Sequence, residues 1–177
     1  MRRPMKPNTL LMLSAAFALL VGCSHAASTK APTHASVGAM EPSWSERTDK
    51  GSMLTSASLL GKPVYVNFFA SWCPPCNDEA SDIEALSKRY ASRGLQVVGV
   101  DVMENADKAA LFGREHHLTY PLVVDDGTLR NAYQLDGLPV HVFIDPDGTV
   151  HAIRIGELTK AEMVRNIRAI LPSNGHA

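Results

Sequence analysis

From residue 46 onward, short runs of consecutive apolar residues alternate with stretches whose apolar positions recur at helical spacing. Val64-Tyr65-Val66-Asn67-Phe68-Phe69-Ala70 is almost wholly apolar and rich in β-branched and aromatic residues, which predicts a central strand buried on both faces. Leu95 to Val102 (LQVVGVDV) predicts a second buried strand, and Val140 to Ile144 a third. Between the first two, a helix is expected from about Pro74 to Ala91, closed by Arg93-Gly94. Asn105 to His117 and Thr128 to Gln134 read as further helices, with a short extended piece from Tyr120 to Val124 between them. Met53 to Leu60 is a weak short element ending at the turn Gly61-Lys62-Pro63. Asp145-Pro146-Asp147-Gly148 carries hairpin-turn chemistry, so Thr149 to Ile155 returns as a paired strand. The last helix has a capping box, Thr159 with Glu162, and one apolar face of Met163, Val164, Ile167, Ile170 and Leu171. Strand-helix alternation implies an α/β domain on a mainly parallel sheet, and the hairpin makes that sheet mixed. No internal repeat appears.

The chain before residue 46 is of another kind. Arg2, Arg3 and Lys6 precede an uncharged apolar run of 13 residues, Leu10 to Gly22. A membrane-spanning helix needs about 20 apolar residues, so residues 1–22 read as a secretory signal instead. The run ends Leu20-Val21-Gly22-Cys23, which resembles the lipobox of bacterial lipoproteins, where the cysteine is lipidated. The alternative is an ordinary cleavage site near Ala26-Ala27, with Cys23 discarded. Either route puts the mature chain outside the cytoplasm, in the periplasm or cell envelope, where disulfide chemistry operates. Residues 23–45 are rich in Ala, Ser, Thr, Pro and Gly and read as a flexible tether; His25 and His34 within it are assigned no role. The folded domain is expected over 46–172, with 173–177 as a tail.

Composition narrows the function. The whole chain has 17 basic and 18 acidic residues; without the three cations of the signal it carries 14 against 18. A mildly acidic domain without a basic patch argues against nucleic acid as partner. Three cysteines in 177 residues exclude a small disulfide scaffold.

Two cysteines remain beyond Cys23, in Trp72-Cys73-Pro74-Pro75-Cys76, where a buried strand meets a helix. In that setting C-x-x-C reads as a redox motif. Cys73 falls at the helix start, where free backbone N–H groups and the helix dipole stabilise a thiolate. Cys76 lies within reach to form a disulfide with it. Pro74 and Pro75 suit the first helical turn but remove two N–H groups, so the stabilisation is expected to be modest. Half of a zinc site is a poorer reading, because a second ligand pair at suitable spacing is missing. A purely structural disulfide is also poorer, since so short a loop removes little unfolded-state entropy.

Residues 61–79, GKPVYVNFFASWCPPCNDE, together with Gly137-Leu138-Pro139-Val140-His141-Val142-Phe143-Ile144-Asp145, resemble the thioredoxin superfamily, most nearly its TlpA/ResA/DsbE-like extracytoplasmic thiol-disulfide oxidoreductases. The resemblance spans roughly residues 46–172. It implies a thioredoxin fold, a central mixed β-sheet flanked by helices on both faces. It implies Cys73 as attacking thiol and Cys76 as resolving thiol, with Trp72, Pro74 and Pro75 in support and no cofactor or metal. It also implies a cis peptide between Leu138 and Pro139 beside the cysteines.

Counting about 100° per residue from Cys76, Glu79 lies about 60° away, inside the stripe formed by Ala80, Ile83, Leu86, Ser87 and Tyr90. Asp78, Asp82 and Glu84 are expected outside it. An acid in that stripe is desolvated close to the thiol, and the resemblance matches Glu79 to an acid that assists proton transfer. Asn67 stands where cytoplasmic thioredoxins carry a buried Asp. His141 replaces a small hydroxyl residue and Phe69 a common Trp; His141 is expected to be a packed or surface strand residue. His116 and His117 are expected to meet the helix dipole and solvent.

The resulting expectation is a monomeric, membrane-tethered oxidoreductase. Its partners would be protein disulfide substrates, apocytochrome cysteines or other secreted proteins, and an upstream membrane thiol donor. The alternative is a copper chaperone on the same fold, using Cys73, Cys76 and a histidine such as His141. A peroxidase of the peroxiredoxin type fits less well, because its lone reactive cysteine sits in a different motif.

Overall fold

Three runs of β-branched and aromatic residues set the centre of the sheet. In the computed structural model, which describes Met1 and residues 34–172, they are β3 (Val64–Phe69), β4 (Gln96–Val102) and β6 (Val140–Ile144). Every residue of β3 and β6 is buried, as strands covered on both faces require. β3 and β4 run parallel, as do β4 and β5 (Leu122–Asp125), while β6 is antiparallel to β3. β7 (Val150–Ile155) returns beside β6 through the Asp145–Gly148 turn, with Gly148 at φ 88°, the left-handed region that glycine enters freely. With β1 (Ser45–Thr48) and β2 (Met53–Thr55) on the far edge, the order is β2-β1-β5-β4-β3-β6-β7.

Side-chain alternation divides the core. Tyr65 and Phe69 of β3 face α2 (Pro74–Tyr90), α3 (Ala106–Glu115) and α5 (Lys160–Ile170), packing with Ile83, Leu86, Phe112, Met163 and Ile167. Val64, Val66 and Phe68 face α1 (Ser56–Leu59) and α4 (Thr128–Ala132), packing with Leu59 and Leu129. The expected mixed sheet with helices on both faces is therefore present. Gly99 in β4 permits the close approach of its neighbours: a Cβ there would lie 2.5 Å from Leu122 Cδ2 and 3.1 Å from Phe69 Cε1. The capping box at Thr159 and Glu162 is formed as expected.

Two expectations need correction. The tether was expected to reach residue 45, but its C-terminal part lies on the domain. Ala35 N–H donates to Ala132 O, Gly38 N–H to Val150 O and Glu41 N–H to Gly148 O, and Trp44 is buried. These backbone bonds and one large aromatic hold a segment whose composition reads as linker. Glu84, expected outside the apolar stripe of α2, is buried, accepts from the N–H and hydroxyl of Thr119, and pairs with Lys88 at 2.9 Å. The expected signal, lipidated Cys23 and the tail at 173–177 lie outside the described residues. Among the described residues, no helix is long and apolar enough to cross a membrane.

Candidate functional site

The chain leaves β3 at Phe69 and turns into α2 through Ala70-Ser71-Trp72. Cys73 is the N-cap of α2, with Pro74 and Pro75 in the first turn. Because those prolines have no N–H, the first inner donor is the amide of Cys76, and it donates to Cys73 Sγ at 3.3 Å. Cys73 and Cys76 form a disulfide with Cα atoms 5.3 Å apart. The helix start thus directs a backbone donor and its dipole at the first sulfur.

Polar side chains outside the C-x-x-C motif hold this turn in place. Ser71 donates its N–H and its hydroxyl to the two oxygens of Glu104, at 2.5 and 2.7 Å. The Asn77 amide donates to the carbonyls of Ser71 and Cys73 at 3.0 and 2.8 Å. Asn77 Oδ1 accepts from His116 Nε2 at 2.9 Å, which gives His116 a specific partner in place of the expected solvent contact. Asp101, opposite Phe69 in the β3–β4 register, is fully buried. Burial, followed by the charge of Glu104 and a hydrogen bond to it, pushes Asp101 up to about 8. As a carboxylate its two oxygens have no partner; a proton gives it a donor toward Glu104.

Glu79 is buried one turn beyond Cys76, as the stripe predicts. Its Oε1 accepts from Leu158 N–H and lies 3.4 Å from His141 Nε2. Its Oε2 is buried without a partner. His141, expected as a packed or surface residue, is packed: it is 0 % exposed and directly opposite Asn67 in the sheet. Its Nδ1 meets the Tyr65 hydroxyl at 2.8 Å and the Asn67 amide nitrogen at 3.3 Å, while Nε2 meets Gly156 O at 3.2 Å. Both ring nitrogens are engaged, so His141 offers the cysteines no free ligand.

Beside the disulfide lies a cleft of about 320 Å³, lined by Trp72, Cys73, Pro74, Pro75, Met103, Arg130, Asp136 and Leu138 among others. Trp72 stands 61 % exposed at its rim, and Met103 adopts φ 66°, a left-handed conformation rare outside glycine. Leu138–Pro139 is cis. Both cysteines are 3 % exposed, so exposure does not separate them; Cys73 lines the cleft and Cys76 is absent from its lining. A larger concavity of about 630 Å³, near Lys50, Arg114 and His117, contains no cysteine. Among the described residues, the side chains grouped closely enough to share a metal ion are Glu46, Asp125 and Asp126. Burial and the charges of Asp126 and Asp125 push Glu46 up to about 7.

The description of the AhpC/TSA family matches residues 37–153. A thiol-disulfide oxidoreductase ResA from Geobacillus kaustophilus is 31% identical over 141 residues, covering 79% of this chain and 81% of the relative. Among solved structures, a thiol:disulfide interchange protein of the thioredoxin family from Chlorobium tepidum is 33% identical with a TM-score of 0.71, covering 77% of this chain and 99% of that one. A secreted Mycobacterium tuberculosis disulfide oxidoreductase, described as homologous to E. coli DsbE, is 25% identical with a TM-score of 0.66, covering 71% and 95%.

Proposed function

The chain belongs to the AhpC/TSA family, in its thioredoxin-like form, and from that membership we propose that it is a thiol-disulfide oxidoreductase working through Cys73 and Cys76. The observation that carries this reading is the disulfide itself, formed across the start of α2 at the edge of an open cleft. The structure corresponds to the oxidised half of a cycle. In the reduced half, Cys73 thiolate attacks a substrate disulfide, one substrate sulfur leaves as thiolate, and Cys73 is held in a mixed disulfide. Cys76 then attacks Cys73 Sγ, the second substrate sulfur leaves, and the Cys73–Cys76 bond returns. Two electrons have passed to the substrate, and an upstream dithiol donor must restore them. Trp72, Pro74, Pro75, Leu138 and Pro139 shape the surface that the substrate meets, and Glu79 serves the proton traffic of Cys76.

The substrates under this reading are disulfides of proteins outside the cytoplasm, with apocytochrome cysteines as one class. Residues 1–22 supply the export signal, and Cys23 a lipid anchor to the membrane; the secreted relative from Mycobacterium tuberculosis supports the compartment. The copper reading loses His141 as a third ligand, because its ring is tied to Tyr65, Asn67 and Gly156.

Thiol trapping tests the proposal. Reduced wild-type protein should reduce a disulfide-bonded peptide, Cys73→Ser should be inert, and Cys76→Ala should accumulate a mixed disulfide through Cys73. Stoichiometric copper binding by the reduced protein, without any exchange, would reverse the assignment.

A further inference from the structure

His141 is a polar ring in the middle of a sheet, and its surroundings determine its protonation pattern. Gly156 O, 3.2 Å from Nε2, can only accept, so Nε2 carries the hydrogen. Nδ1 is then the acceptor for the Tyr65 hydroxyl and the Asn67 amide. Burial, and then the charge of Glu79, hold Tyr65 well above the ordinary phenol range, so that hydroxyl keeps its proton to donate. The single N–H of the ring is hydrogen-bonded to Gly156 O, and Nε2 also lies 3.4 Å from Glu79 Oε1. Leu158 N–H donates to the same Oε1. One oxygen of Glu79 is therefore held by Leu158 N–H and approached by the His141 ring, and the other, Oε2, is buried and bare.

We propose that His141 is a positioning residue for disulfide exchange: fixed as the Nε2–H tautomer, it donates to Glu79 Oε1 and leaves Oε2 as the oxygen that exchanges a proton with Cys76. The proposal rests on the dithiol function above. In the resolving step the Cys76 thiol proton moves to Glu79 Oε2, and Cys76 sulfur attacks Cys73 Sγ. The bond between Cys73 and the substrate breaks, and the substrate sulfur leaves with the electron pair. The proton then passes to that sulfur or to solvent.

The titratable groups around Glu79 come from several elements. Cys73 and Cys76 lie at the start of its own helix, Tyr65 on β3 with Tyr120 beside it, and His141 on β6. Glu157 is exposed in the loop that supplies Leu158, and Lys160 at the start of α5 is engaged by Asp82 at 2.7 Å. The proposed donor, His141 Nε2–H at 3.4 Å from Glu79 Oε1, favours the charged form of the carboxyl.

The test compares full-length wild type, His141→Leu, His141→Gln, Glu79→Gln and the double variant Glu79→Gln with His141→Leu. Exchange with a disulfide-bonded peptide is followed from about pH 4 to about pH 9, and the Glu79 carboxyl is followed by carbon NMR. His141→Leu should move the Glu79 inflection up by about one pH unit, the loss expected for a donor to a charged group. His141→Gln, which keeps an N–H donor, should bring it back toward wild type. In the Glu79→Gln background, His141→Leu should leave the profile unchanged, since the effect runs through the carboxyl. Nitrogen NMR of the wild type should read an Nε2–H imidazole, a measurement that needs no variant to fold. An Nδ1–H tautomer, or a His141→Leu titration superimposed on wild type, overturns the proposal. A wild type that exchanges no disulfide counts instead against the dithiol function, while the carboxyl titration still reads the His141 contact.

Discussion

Glu104 accepts both the N–H and the hydroxyl of Ser71, across 33 positions of sequence and two residues before the first cysteine. The clamp ties the loop after β4 to the turn that presents Cys73, so the orientation of the N-cap depends on a carboxylate in another loop. The same carboxylate faces buried Asp101, and the pair can hold together only while Asp101 keeps its proton.

Ser71→Ala should therefore cost about 1–2 kcal/mol, the low end for a part-buried hydrogen bond to a charged group. Glu104→Ala should cost more near neutral pH, because two donors lose their acceptor. Its cost should shrink as the pH rises toward about 8 and stay at the smaller value above, because without Glu104 the Asp101 carboxyl ionises at a lower pH. Denaturant unfolding at several pH values measures both. A Glu104→Ala cost that does not vary with pH would break the link to Asp101.

Asp101 itself gives a pH dependence with a defined sign. Folded, it titrates at about 8; unfolded, an aspartate titrates at about 3.9. Between those values the folded chain holds a proton that the unfolded chain has lost. Its contribution to stability is therefore undiminished below about pH 4, declines up to about pH 8 by at most about 1.4 kcal/mol per pH unit, and is level above. Asp101→Asn removes the titration and keeps a donor toward Glu104. Its stability relative to wild type should rise through that window; a gap independent of pH would show that Asp101 does not hold the proton.

The fold was legible where burial follows hydrophobicity. β3, β4, β6 and the apolar face of α5 announce themselves as apolar runs or stripes. β1 is invisible by that measure, because the buried residues of Ser-Glu-Arg-Thr are Glu46 and Thr48. Glu84 was misplaced because, at about 80° from Cys76, it lies as close to the stripe as Leu86 does on the other side; its partner Thr119 is 35 residues away. The cysteine pair was legible from spacing and context alone. His141 was half legible: a strand apolar on both faces leaves no outward position for a histidine, but its partners Tyr65, Gly156 and Glu79 come from three other segments. Glu104 gave no local signal, since its chemistry exists only after β3 and β4 have paired.

Trp72 offers a cleaner probe of the cleft. It is 61 % exposed at the rim, so Trp72→Ala should leave stability within about 0.5 kcal/mol. Exchange with a large disulfide-bonded protein should slow, while reaction with a small disulfide such as glutathione disulfide changes little. Equal slowing with both would place Trp72 in the chemistry rather than in substrate contact.

In the reduced protein, brief alkylation should label Cys73 before Cys76. The two are equally covered in the disulfide, so the difference must arise from position: Cys73 lines the cleft and receives the Cys76 N–H, whereas Cys76 starts the buried stripe. Peptide mapping decides it, and equal labelling would contradict the division into attacking and resolving thiols.

Glu79→Gln separates a proton carrier from a structural acid. Glutamine can keep its oxygen at the anchored position, facing Leu158 N–H and His141 Nε2–H, since turning the amide over would set donor against donor. Its NH₂ then occupies the place of bare Oε2, where an unmatched donor costs about 1–3 kcal/mol. Against this, a buried charge is removed, which works in the other direction. The two terms oppose, so the melting temperature should move by only a few degrees. Exchange should respond differently. Assistance by a positioned acid or base is worth about 10²–10⁴-fold at most, and a thiol needs less help than most nucleophiles, so slowing at or below the low end is expected. The pH–rate profile should lose or shift one inflection while Cys73 alkylation stays fast. If the profile were unchanged, Glu79 would be a structural acid that fastens Leu158 and His141 to α2, and the two-cysteine mechanism would stand without it.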